Sequence, residues 1–199
     1  MESAGLDEGD TWSRARDGDP DAFTSLFDRH RDRVFGHALR LVRQPHDAED
    51  VAAMVFLEAW RRRDAVRVVD GSIIAWLLVT ANNTVHNLER SRRRHRDALA
   101  RMPEPVPQAD HADSVAQELD NSERDRLVRD AFATLSTADQ NVITLCVLEE
   151  LPLADAARAL GVPIGTVKSR LSRAKRRLGD LASPLVADPA RSVLEGGAE

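Results

Sequence analysis

The chain has 199 residues, of which 42% are hydrophobic and 31% charged, with a net charge of −5 and a single cysteine. That size suits one large or two small globular domains, and the composition excludes a disordered chain. The longest apolar run, Ile73 to Val79, is far below the ~20 residues of a membrane span, Met1 to Asp10 is acidic and lacks an apolar signal core, and the lone Cys146 excludes an intramolecular disulfide, so a cytoplasmic protein with no membrane insertion is expected.

An overall negative charge argues against nucleic acid, but the distribution argues for it. Arg90, Arg92, Arg93, Arg94 and Arg96 form one basic block, and Lys168, Arg170, Arg173, Lys175, Arg176 and Arg177 form another. Between them Glu104, Asp110, Asp113, Glu118, Asp120, Glu123 and Asp125 surround one cation, Arg124.

Residues 1–18 are expected to be a disordered N-terminus. A helix then opens at Asp19, an N-cap, followed by Pro20 at its first position, with Phe23, Leu26, Phe27, Val34, Ala38, Leu41 and Val42 near helical spacing until Gln44-Pro45 breaks it. A second helix is expected from Asp47 to Arg63, with Val51, Val55, Phe56, Ala59 and Trp60 as its apolar stripe and acidic residues in its first turn. Asp64 to Ser72 reads as a loop. Ile73 to Leu99 reads as a third helix, with Ile73, Trp76, Leu77, Ala81, Thr84, Val85 and Leu88 inward and the first basic block at its far end.

Pro103, Pro105 and Pro107 end that helix, and the acidic stretch after them reads as a flexible linker. Past it, Leu119, Leu127, Ala131, Phe132 and Leu135 begin more helix, and Ser136-x-x-Asp139 and Thr137-x-x-Gln140 are overlapping capping boxes for a helix holding Val142, Ile143, Leu145, Cys146 and Leu148. Cys146 is expected to be a small buried hydrophobe. The fold class is all-α, as two helical domains joined by a flexible acidic linker. The expected boundaries are 19–100 for the first domain, 101–116 for the linker, 117–181 for the second domain and 182–199 for a flexible tail.

The second domain carries the strongest motif. Leu153 to Leu160 is a short helix, Gly161-Val162 a tight turn, and Pro163 to Leu178 a longer helix, which is helix-turn-helix grammar. Val167, Leu171, Ala174 and Leu178 recur at four, three and four, forming a buried seam. Thr166, Lys168, Ser169, Arg170, Ser172 and Arg173 are left outward, where they can meet bases or phosphates in a major groove. An exposed basic helix that binds nothing is the alternative, and turn, seam and charge together weigh against it.

Gly165 to Ala174 resembles the recognition helix of the extracytoplasmic-function sigma factors of bacterial RNA polymerase. Asp47-Ala48-Glu49-Asp50-Val51 with Phe56-Leu57-Glu58-Ala59-Trp60 resembles the same family's polymerase-binding helix. Ala75-Trp76-Leu77, Ala81 and Asn83 before a basic run resemble the helix that reads the minus-ten promoter element. The resemblance implies a sigma-2-like and a sigma-4-like domain, with core RNA polymerase and promoter DNA as partners, an anti-sigma factor of the kind common in the family as a further partner, and neither cofactor nor metal. Lys168, Ser169, Ser172 and Arg173 would face minus-thirty-five bases, and Thr166 and Arg176 would hold phosphates. Asn83, Thr84 and Asn87 would meet minus-ten bases, Arg90, Arg92, Arg93 and Arg94 its backbone, and the loop Asp64 to Gly71 an extruded base. Asp47, Glu49, Asp50, Phe56 and Glu58 would seat polymerase. The sequence departs from the family pattern at Ala53-Met54, where a Gln-Glu pair is frequent, at Ile73, often aromatic, at Ser136, often proline, and at Glu150, often glycine.

Two other functions are compatible with parts of the sequence. An enzyme would need more than His46, Asp47, Glu49 and Asp50 at a helix start, which dipole and partner contacts explain better than a metal does. A stand-alone regulator that binds duplex DNA without polymerase would carry the same recognition helix, but not the N-terminal half.

Overall fold

The computed structural model describes residues 7–42, 44–99 and 123–186. Among them it is all-helical: α1 Glu8–Arg16, α2 Pro20–Leu41, α3 Pro45–Arg61, α4 Ile74–Leu99, α5 Glu123–Ala133, α6 Thr137–Ile143, α7 Leu153–Leu160 and α8 Ile164–Val186. The expected linker, 101–116, lies outside the described residues.

Local signals place several of the helix starts. The Asp19 carboxylate accepts from the amides of Asp21 (3.0 Å) and Ala22 (3.1 Å), and Pro20 occupies the first turn of α2. Pro45, read from sequence as a breaker, is the first residue of α3 instead, because its missing N–H is unneeded there. Ser136 caps α6 by accepting from the Asp139 amide (3.2 Å) while its hydroxyl donates to the Asp139 carboxylate (2.9 Å). Gly161 ends α7 at φ +66, as the helix-turn-helix reading requires.

Three further expectations need correction. Residues 8–16 of the supposed disordered N-terminus form α1, because a single face, Thr11, Trp12 and Ala15, is buried and Trp12 alone supplies a large apolar area. The expected tail begins too early, since α8 runs on to Val186; residues 187–199 lie outside the described part. Leu148, placed inside a helix core, is 46% exposed, because α6 ends in a π turn over Thr144–Leu148 that rotates it outward.

The first half is built on α2, α3 and α4. Ala22, Leu26, Val34 and Ala38 of α2 face Val51, Val55, Phe56 and Ala59 of α3 and Leu77, Leu78, Ala81 and Val85 of α4, with Trp12 and Ala15 closing one side. Phe27 meets Phe56 edge-on at 4.8 Å and Phe23 meets Trp60 at 5.0 Å. In the second half Val167 and Ala174 of α8 are fully buried and Leu171 and Leu178 half-buried, which is the expected seam.

The two halves pack directly on one another. Val69 and Ala75 of the first half share an apolar cluster with Val142, Leu145, Ala156, Ala157, Ala159 and Val167 of the second. At its edge lies a buried polar chain. His37 Nε2 donates to Asn82 Oδ1 (2.9 Å), and Asn82 Nδ2 donates to Asn141 Oδ1 (2.8 Å) and Thr144 Oγ1 (3.1 Å). The Asn82 amide is thereby satisfied at both ends, which fixes the His37 tautomer. Arg33 pairs with Glu149, Arg129 donates to the Arg40 carbonyl (3.2 Å) and Arg67 to that of Ala159 (3.1 Å). Arg67 lies so close to Gly161 that any Cβ there would run into the guanidinium.

Candidate nucleic-acid interface

The helix-turn-helix is α7, Gly161-Val162 and α8. Its second helix is held by Val167, Leu171, Ala174 and Leu178, so the residues between them are forced outward. Lys168, Ser169, Ser172, Arg173 and Arg176 are exposed, and Thr166 is half-buried at the turn. The Ser169 hydroxyl donates to the Thr166 carbonyl (3.0 Å), and Arg173 pairs with Asp139 of α6 at 3.4 Å while keeping 58% of its side chain exposed. Asp139 itself is buried, so moving Arg173 to a base edge would leave the Ser136 hydroxyl as the remaining side-chain donor to its carboxylate. Arg170 turns toward the first half, beside Arg62, Arg67, Trp76 and Asn83, around a cavity of about 360 Å³.

The expected minus-ten residues lie along α4. Asn83, Asn87, Arg90 and Arg93 are exposed and Thr84 is half-buried. Asn83, Thr84 and Asn87 line one open groove with Trp76, Thr80, Met54 and Leu57. Trp76 is half-buried, packed on the first core yet lining this groove. Asn83 also accepts from Asn141 across the halves (3.4 Å). Arg92 reaches back to Asp47, with 2.7 and 3.3 Å contacts that hold the Asp47 carboxyl below its ordinary range.

That contact changes the expected polymerase face. Asp47 is occupied by Arg92, and Phe56 is 4% exposed in the core, edge-on to Phe27. Phe56 is therefore removed from the surface set: its neighbours in the α3 stripe bury it. Glu49 and Asp50 are exposed, Glu58 is half-buried and paired with Arg62 (3.3 Å), and Leu57, not singled out from sequence, is 56% exposed beside them. His46 pairs with Asp50 at 3.7 Å, and among the described residues no group of His, Cys, Asp and Glu is placed to hold a metal ion.

The residue that sequence reasoning missed most is Asn82. It is 1% exposed, and its polar type at a core position of α4 was the available signal. Among the described residues no helix is long and apolar enough to cross a membrane.

Comparison with known proteins falls on both halves. The family model "Sigma-70 region 2" matches residues 26–95, and "Sigma-70, region 4" matches residues 125–178. The chain is 35% identical over 159 residues to the ECF RNA polymerase sigma factor SigK of Mycobacterium sp. (strain KMS), covering 77% of this chain and 79% of that one. It is 31% identical over 179 residues to the ECF RNA polymerase sigma-E factor of Haemophilus influenzae, covering 87% and 94%. Among solved structures it is similar to the sigma factor RpoE of Bartonella quintana, crystallised with the anti-sigma factor NepR, at 26% identity and a TM-score of 0.54 over 83% of this chain and 98% of that one. It shares its fold with CnrH, solved with the cytosolic domain of CnrY, at 24% identity and a TM-score of 0.58 over 90% and 99%.

Proposed function

This chain belongs to the extracytoplasmic-function sigma factors of the sigma-70 family, and from that premise we propose how its two halves divide the work of directing core RNA polymerase to promoters and opening them. It is an initiation factor and not an enzyme. The observation that carries this over a stand-alone regulator is that the helix-turn-helix shares its chain with a region-2 half, which such a regulator lacks.

In this reading α8 enters the major groove at the minus-thirty-five element. Lys168, Ser169, Ser172 and Arg173 address base edges, and Thr166 and Arg176 hold phosphates. Asn83, Thr84 and Asn87 address the minus-ten strand once it opens, Arg90 and Arg93 carry its backbone, and the loop between α3 and α4 receives the extruded base. Glu49, Asp50 and Glu58, with the exposed Leu57, face polymerase. The site of action is the cytoplasm, where polymerase works, and an anti-sigma factor, of the kind present in the RpoE structure, is a further partner.

The packed arrangement bears on mechanism. Elements about 25 base pairs apart at ~3.4 Å per pair lie roughly 85 Å from each other, whereas α4 and α6 touch through Asn82 and Asn141. The halves must therefore part before one molecule reads both elements.

The test is a binding series with and without core polymerase. Specific promoter binding should require the core enzyme, and Asp50→Arg should weaken core binding with an unchanged circular dichroism spectrum. A footprint on a palindrome by this protein alone would overturn the reading.

A further inference from the structure

The loop between α3 and α4 is shaped by an unusual convergence on one oxygen. Val69 and Ser72 exchange backbone hydrogen bonds (2.9 and 3.1 Å) around Asp70 at φ 52 and Gly71 at φ 70, a two-residue turn with both central residues left-handed. Ser72 Oγ accepts from the Ile74 amide (3.1 Å) and so caps α4. The same hydroxyl donates to Oε1 of Glu8 (2.8 Å), as do the Ile73 amide (2.8 Å) and His30 Nε2 (2.8 Å), while Arg29 approaches Oε2 at 3.5 Å. One carboxylate of α1 thus ties α2 to the C-terminal foot of the loop and sits at the positive end of α4. Burial alone would raise the Glu8 carboxyl, but the bonds from His30, Ile73 and Ser72 outweigh it and hold it at about 2.

These bonds stabilise the folded chain, and they also fix the loop. The apolar work of α1 is done by Trp12 and Ala15, on the face turned to the core. What Glu8 adds is a fixed exit for a loop whose next outward residues, Val68 and Asp70, are exposed.

We propose that Glu8 is a positioning residue for promoter opening: it holds the turn 69–72 at the height and angle at which the loop receives the extruded minus-ten base. This rests on the sigma-factor reading of that loop. Glu8 lies ahead of the matched region-2 segment, which begins at residue 26.

The test uses the full chain with core polymerase and a promoter carrying 2-aminopurine at the extruded position. Opening is read by fluorescence, and core affinity, minus-thirty-five binding and thermal unfolding are read alongside. Glu8→Ala should slow opening by about 10- to 100-fold, the loss expected from misplacing a reacting group by about an ångström, with core affinity and minus-thirty-five binding unchanged. Glu8→Gln, which keeps an acceptor but loses the charge, should fall between, and it serves as the test if the alanine variant does not fold. Val55→Ala, a core truncation away from the loop, supplies a matched loss of stability and should open normally. Val68→Asp alters the loop surface and should block opening. Opening by both Glu8 variants at the Val55→Ala rate, with Val68→Asp impaired, overturns the role of Glu8 alone. Normal opening by Val68→Asp overturns the base-holding loop, and the proposal with it.

Discussion

Asn82→Ala is the sharpest probe of how the two halves are joined. Asn82 is 1% exposed and makes three hydrogen bonds, one within its own half to His37 and two across to Asn141 and Thr144. Truncation strands the His37 donor and the Asn141 acceptor, each costing ~1–3 kcal/mol when buried without a partner, so the total loss should be about 2–6 kcal/mol. The His37 share destabilises the first half by itself; the Asn141 share exists only if the halves are closed in solution. A double-mutant cycle separates them. Urea unfolding of wild type, Asn82→Ala, Asn141→Ala and the double variant should give a coupling of about 0.5–1.5 kcal/mol. Coupling below ~0.3 kcal/mol, the ordinary scatter of independent sites, would refute the closed arrangement in the free protein. If closure must be undone for promoter binding, Asn141→Ala should also raise promoter affinity of the polymerase complex, about tenfold for each 1.4 kcal/mol of latch removed.

Three further outcomes follow from local geometry. Glu150 sits at φ 53, a left-handed conformation that glycine adopts without strain, so Glu150→Gly should stabilise the second half by about 1 kcal/mol, read as a shift in urea midpoint; a loss would refute the strain. Burial holds His37 below its ordinary value against the opposing bond from Asn82, so the unfolded chain takes up a proton that the folded one refuses. Stability should therefore fall as pH drops below about 6.5, whereas the Glu8 contribution, with its carboxyl held at about 2, is complete above 4.5 and lost only on further acidification toward 2; a His37→Gln variant should flatten the first slope and leave the second. Arg176→Ala should weaken binding to every promoter alike and lower the salt slope of log affinity by about 1, since a phosphate contact carries no base information; a change in sequence preference would refute that assignment.

The elements legible in the sequence were those fixed within a turn or two of chain. Asp19-Pro20, Ser136-x-x-Asp139 and Leu160-Gly161 announce helix ends because their partners are neighbours. The Val167, Leu171, Ala174, Leu178 seam, and with it the outward set on α8, follows from period alone. What stayed hidden depends on distant chain. Glu8 has no visible role until α2 and the α3–α4 loop bring it three donors, and α1 is too short to show a period. Phe56 satisfied both an apolar stripe and a family surface motif, and only packing against Phe27 decides for the core. Asn82 stood beside the noticed Asn83 on the same helix, yet 100° of rotation turns one to the second half and leaves the other exposed.

The most direct measurement is run-off transcription by core RNA polymerase with this protein, on promoters varied only in the minus-thirty-five element. Wild type should start transcripts at a restricted set of promoters, and replacing Lys168, Ser169, Ser172 and Arg173 together by alanine should abolish that restriction, or the transcripts themselves, while the helical circular dichroism spectrum is kept. Unchanged promoter choice by the quadruple variant, or no specific transcript from wild type with core enzyme, would contradict the account.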